Sequence, residues 1–101
     1  MNSLAAKQIE ARATSVRVSD DSLVVNLTDG RTVSAPLAWY PRLLHGTDSE
    51  RNDHELMGDG VGIHWPQLDE DISVEGILAG RPSRESKQSF EGWLASRPHT
   101  S

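Results

Sequence analysis

A chain of 101 residues, 36% of them hydrophobic and 25% charged, has room for one modest core and is too apolar to be disordered. It has no cysteine, which excludes disulfides, thiolate metal sites and a cysteine nucleophile. Its net charge of −5, with ten scattered basic residues against fifteen acidic ones, argues against nucleic-acid binding by this chain alone, and no apolar run approaches the roughly 20 residues of a membrane span.

Residues 1–12 read as a flexible polar lead-in, with at most a frayed helical turn at Leu4 to Glu10. They lack the apolar stretch and cleavage pattern of a secretion signal, which together with the missing cysteines points to a cytoplasmic protein. From Ala13 the pattern changes. Val16 and Val18 alternate with Ser15, Arg17 and Ser19, the period of a half-buried strand. Asp20-Asp21-Ser22 supplies turn chemistry, and Leu23, Val25 and Leu27 then mark a second strand. A third runs from Arg31 to Ala35.

Apolar matching sets the register of these strands. A two-residue turn at Asp29-Gly30 would place Val25 opposite Ser34 and turn Val33 to the other face. A three-residue loop, Thr28-Asp29-Gly30 with Gly30 left-handed, instead pairs Val25 with Val33 and Leu23 with Ala35. A four-residue first loop likewise pairs Val18 with Leu23 and Val16 with Val25. The prediction is a three-stranded antiparallel meander with one apolar face.

Pro36 ends the third strand because it has no N–H for the ladder. Leu37, Tyr40, Leu43 and Leu44 follow at helical spacing, with Pro41 tolerable only in a first turn. Gly46 stops that helix. Thr47-Asp48-Ser49-Glu50 has capping-box spacing and predicts a second helix reaching about Leu56 and Met57. Gly58, Gly60 and Gly62 lead into a strand from Val61 to Trp65, and the Asp69-Glu70-Asp71 run reads as solvated loop and helix-entry charge. Ser73 caps a last short helix, Val74 to Ala79, closed by Gly80 and Pro82. The fold class is therefore α+β: a meander, two short helices, a further strand and a short helix, forming one domain over residues 13–82. Residues 83–101 form a charged, serine-rich tail in which Phe90, Trp93 and Leu94 sit at helical spacing. Docking on the core, exchange with a second subunit and contact with a partner are all open to it.

Few residues carry a chemical signature. His64 beside Trp65 is the one candidate general base, tuned by Asp69 or Glu70. Against that, Ile63 and Trp65 alternate with it, so His64 simply faces the other way, hydrogen-bonded or solvated. His45, His54, His64 and His99 lack zinc-site spacing, and the carboxylate run lacks the glycine and distal glutamate of a calcium loop. The three glycines fit neither a dinucleotide fingerprint nor a phosphate loop. No catalytic residue, metal or cofactor is assigned. Tyr40 and Trp65 are read as core. Trp39 lies a step off the helical stripe near Arg42, and both residue types are enriched at binding hot spots.

The stretches Leu37-Ala38-Trp39-Tyr40-Pro41-Arg42-Leu43-Leu44, Gly62-Ile63-His64-Trp65-Pro66 and Leu68 to Leu78, with Asp29-Gly30-Arg31, resemble the bacterial domain-of-unknown-function family 2442 over roughly Ala13 to Pro82. The resemblance implies a small α+β domain without established catalytic residues. It also implies, for some members, pairing with a small neighbouring protein in toxin–antitoxin-like gene pairs; others carry an appended helix-turn-helix that is missing here. The expectation is a non-enzymatic protein-interaction module, antitoxin-like or self-associating. Its expected surface is Trp39, Arg42, Trp93 and the acidic Asp69, Glu70 and Asp71, which would steer a basic partner. The alternatives are a small metal-assisted or histidine-dependent hydrolase centred on His64, and a DNA-associated regulator.

Overall fold

A computed structural model describes residues 11–98 of the chain. The expected helical turn at Leu4 to Glu10, and His99, lie outside these residues. Strands β1 (Ala13–Val18), β2 (Ser22–Leu27) and β3 (Thr32–Pro36) form the antiparallel meander, in the order β1-β2-β3. Val16 faces Val25, Val18 faces Leu23, Val25 faces Val33 and Leu23 faces Ala35. Gly30 has φ +94°, so the three-residue loop has the left-handed residue that its register requires. One feature of β1 escaped the alternation. A bulge between Ala13 and Ser15 adds a residue, so Ala13 turns to the same buried face as the even-numbered valines.

The helix expected from Leu37 to Leu44 is broken in two. Leu37–Trp39 makes one 3₁₀ turn, Tyr40 leaves helical geometry at φ −128° and ψ 83°, and α1 (Pro41–Leu44) starts at the proline. The cause is local: a proline ring clashes with a helical residue before it and pushes that residue toward extended geometry. Leu37, Tyr40 and Leu43 are nonetheless all buried. Helix α2 (Asp48–Asn52) begins with the full reciprocal capping box of Thr47 and Glu50. It stops at Asn52 instead of reaching Met57: none of its residues is apolar, and only Arg51 is buried. Leu56 and Met57 instead form β4 (Glu55–Met57), an exposed edge strand paired with β5 (Gly62–Trp65).

A second antiparallel sheet, ordered β4-β5-β6, was not foreseen. Its last strand, β6 (Glu70–Ser73), contains two of the three carboxylates read as loop. Trp65 and Leu68 close the hairpin through a backbone bond of 3.2 Å, Leu68 plugs the core, and Asp69 turns the chain at φ +51°. Ser73 then caps α3 (Val74–Leu78) by accepting from the Gly76 N–H, as expected.

The inner faces of both sheets and the short helices share one core, from Leu23 and Val25 to Ile63, Trp65, Leu68 and Val74. Each fully buried aliphatic side chain there contributes about 1.5–3 kcal/mol. Trp65 is completely buried, and its indole N–H donates to the Arg51 carbonyl at 3.0 Å. Arg51 in turn donates to the carbonyls of Leu43 and Leu44, each at 2.8 Å, and so satisfies the open C-terminal end of α1. Gly60 approaches the backbone of Ala13 so closely that a β-carbon would overlap it. The tail forms α4 (Lys87–Ser96), which has no buried residue of its own.

Candidate functional site: an acidic cleft under the C-terminal arm

Strand alternation builds the floor of a cleft. In β6, Ile72 points into the core, so Glu70, two residues earlier and paired with Trp65, points the same way. Asp71 and Ser73 take the outer side. Glu70 therefore sits partly buried at the edge of the core, where the chain runs from Tyr40 into α1. The cleft has a volume of about 450 Å³, with Tyr40, Arg42 and Glu70 on its walls and Arg81, Arg84 and Glu85 along the arm that passes over it. That volume is within the usual range of small-ligand sites.

Two polar groups, one behind the cleft wall and one on its floor, have no hydrogen-bond partner among the described residues. Tyr40 is only 2% exposed, and its hydroxyl has no hydrogen-bond partner among the described residues. Burial pushes this phenol above its ordinary range, and the Glu70 charge adds to the effect. Glu70 is pushed up to about 7, first by burial and then by the Glu85 charge, with Asp71 and Asp69 adding and Arg42 opposing. A carboxyl so placed is divided between its charged and neutral forms near neutral pH.

Arg42 is fully engaged. Its Nε and Nη2 donate to the Glu85 carboxylate at 3.0 and 2.6 Å, and its Nη1 donates to the Leu68 carbonyl at 3.0 Å. Both side chains of that ion pair are only 13% exposed. The Arg42 guanidinium, with help from the Ser89 hydroxyl at 2.7 Å, holds the Glu85 carboxyl below the usual carboxylate range. Arg42 thus pins the arm instead of projecting as a free hot-spot cation.

A second, reversed ion pair pins the far end of the arm. Arg97 donates to Glu50 at 2.7 and 3.2 Å. Between the two pairs, the Trp93 ring packs against both guanidinium groups, 5.0 Å from Arg42 and 4.6 Å from Arg97. Phe90 bridges Trp93 and His45 at ring distances of 5.7 and 5.3 Å. The Ser83 N–H donates to the Trp39 carbonyl at 2.9 Å. Of the fates open to the tail, this one is docking on its own core.

Four of the expected surface residues, Arg42, Asp69, Glu70 and Asp71, line this cleft, and Trp93 adjoins it through Arg42. Trp39 is partly buried against the core and holds the arm through its carbonyl. His64 faces away from Ile63 and Trp65, as alternation predicts. Its Nδ1 is hydrogen-bonded to Asp71, its cross-strand neighbour, and not to Glu70, which points to the opposite face of the sheet. Asp71 raises the histidine above its ordinary value, with smaller contributions from Glu55 and Asp69. Among the described residues, no three histidine or carboxylate side chains are grouped to hold a metal ion, and no helix is long and apolar enough to cross a membrane.

The model of a family described as a protein of unknown function, DUF2442, matches residues 13–83. The chain belongs to the DUF2442 family. A crystal structure of a protein of unknown function from Rhodospirillum rubrum is 30% identical to this DUF2442 chain, with a TM-score of 0.66, covering 81% of this chain and 99% of that one. The solution structure of an uncharacterised protein from Chromobacterium violaceum is 24% identical, with a TM-score of 0.63 over 92% and 85% of the two chains. That second likeness shows the fold alone. No curated protein matches the DUF2442 chain.

Proposed function

We propose that this DUF2442 protein is a non-enzymatic cytoplasmic recognition module, binding a small basic protein partner through the cleft beneath its C-terminal arm. One observation carries the reading. The cleft presents a partly buried Glu70 carboxyl that has no hydrogen bond among the described residues and is crowded by the Glu85, Asp69 and Asp71 charges. A carboxyl partly withdrawn from water and beside like charges is costly to ionise, and a bound cation or donor relieves that cost. Acidic Asp69 beside the cleft, with Asp71 on the outer side of the same hairpin, favours fast encounter with a positively charged surface. In its narrower form the partner is toxin-like, with this chain as the antitoxin-like subunit. The test is reconstitution with the product of the adjacent gene, followed by light scattering. A one-to-one complex lost on Glu70→Lys supports the reading. A chain that stays monomeric with every neighbouring gene product, and retains no stoichiometric protein from native lysate, overturns it.

A second reading rests on the His64–Asp71 pair, which has the geometry of a base and its orienting carboxylate. It predicts a hydrolytic activity abolished by His64→Ala, whereas the recognition module keeps its partner in that variant.

A further inference from the structure

We infer that the surface under α4, formed by Arg42, His45 and Glu50, is a docking site for a helix of a partner protein, and that the C-terminal arm is its built-in competitor. The partner helix that fits carries aromatic side chains at positions i and i+3 and a guanidinium at i+7. A carboxylate precedes the first aromatic by five residues. The inference is read from the contacts of the arm and not from the cleft, so its failure would leave the recognition reading standing.

The arm displays the chemistry that this surface reads. Phe90, Trp93 and Arg97 have the i, i+3, i+7 spacing of a helix seated in a groove, and Glu85 precedes them by five residues. Arg42 takes the carboxylate through two of its nitrogens, His45 meets the Phe90 ring and Glu50 takes the guanidinium. The two charges on the body are opposite in sign, so they also set the direction of the helix. A helix laid the other way would bring carboxylate to Glu50 and guanidinium to Arg42, which penalises it.

The occupant is weak and the receptor is firm. Helix α4 has ten residues, none of them buried, with Gly92 in its second half. Helices shorter than about 12–15 residues are marginal on their own, and an interior glycine weakens them further. The arm is therefore helical only while docked, and two ion pairs and a few ring contacts hold it there. Arg42, His45 and Glu50, in contrast, are carried by segments rooted in the core through Leu37, Leu43 and Arg51. All three lie within the stretch that matches the family, whereas Glu85, Phe90, Trp93 and Arg97 lie beyond it. The domain carries the site, and this chain's own tail fills it. A tethered occupant acts at an effective concentration on the order of millimolar, so an incoming helix binds with an affinity reduced by the small fraction of open molecules.

The experiment measures binding of labelled peptides to the full chain by fluorescence anisotropy. The probes are the arm peptide, residues 83–98; a patterned peptide of unrelated sequence that keeps only the carboxylate, the two aromatics and the guanidinium at their spacing; and a shuffled peptide of the same composition. Trp93→Ala combined with Arg97→Ala weakens the resident arm. The arm and patterned peptides should bind that variant saturably, at least about tenfold tighter than wild type, and the shuffled peptide should bind neither. Adding Glu50→Lys should abolish binding, and peptides with Arg97→Glu should restore it, a rescue that a merely structural role for Glu50 would not give. Arg42→Glu against peptides with Glu85→Arg supplies the same readout where Glu50→Lys fails to fold. Binding of the arm peptide without the patterned one, equal affinity for wild type and the weakened variant, or no saturable binding overturns the inference. Concentration-dependent dimerisation of the wild-type chain that the patterned peptide does not disrupt gives the surface to a second copy, and overturns it too.

Discussion

Glu50 joins two distant parts of the chain: its carboxylate accepts from the Thr47 N–H at the start of α2 and from the Arg97 guanidinium just beyond α4. Losing it removes a helix cap and an anchor together, whereas losing Arg97 removes only the anchor. Glu50→Ala should therefore cost about 1–2 kcal/mol and Arg97→Ala about 0.5–1 kcal/mol in urea unfolding. Equal losses would show that the cap contributes nothing.

Acid should loosen the arm before the sheets. Glu50 and Glu85 are both held below the ordinary glutamate value of 4.5 by their arginine partners. A depressed carboxyl binds fewer protons in the folded state, so its stabilisation is complete above that value and lost as pH falls through the depressed one. Hydrogen exchange in α4 should accelerate below about pH 4.5, relative to its intrinsic rate, while β2 remains protected. Loss of protection in both at the same pH would contradict this.

Trp93→Ala should release α4 without unfolding the protein. The ring is shared by Arg42 and Arg97, and each such contact is worth about 0.5–1 kcal/mol at a partly exposed site. The expected result is rapid exchange across residues 87–96, with β2 and β5 unchanged.

Glu70 has the opposite sign from its neighbours. Its carboxyl is raised to about 7, so the folded state binds the extra proton between the ordinary glutamate value and neutrality. Stability therefore declines as pH rises through that window. Glu70→Gln should stabilise the protein by about 1–2 kcal/mol at pH 8, a figure reduced for solvent screening at a partly open site, and have little effect near pH 4. Chemical denaturation at the two pH values decides it.

Gly60→Ala and Gly30→Ala separate backbone strain from collision. Both glycines have positive φ, but only Gly60 has the Ala13 backbone where a β-carbon would go. Expected losses are about 1 kcal/mol at Gly30 and about 2–4 kcal/mol at Gly60.

Where one periodicity governed a stretch, the sequence was enough to read it. The valines and leucines of the meander could satisfy only one register, and the loop at Gly30 followed from that register. Thr47 with Glu50, and Ser73 before Val74, declared their helix starts through side-chain chemistry alone. Tyr40 was legible as core, but its unpaired hydroxyl was not, because hydrogen-bond satisfaction depends on neighbours far along the chain. The second sheet was hidden for a related reason. Leu56 and Met57 lie at an edge with no alternation to mark them, and Glu70 looked solvated beside two other carboxylates. Its position two residues before buried Ile72 was the available clue, usable only once β6 was known to be a strand. Glu85 and Arg97 carried no local signal, since their meaning lies wholly in Arg42 and Glu50, more than forty residues earlier.

The cleft takes one lip from outside the stretch shared with the family, because Arg84 and Glu85 both follow residue 83. On the proposed recognition role, selectivity and folding are encoded in separable lengths of polypeptide. Relatives that keep the same packed interior can then differ at the cleft by changing only the strap that crosses it.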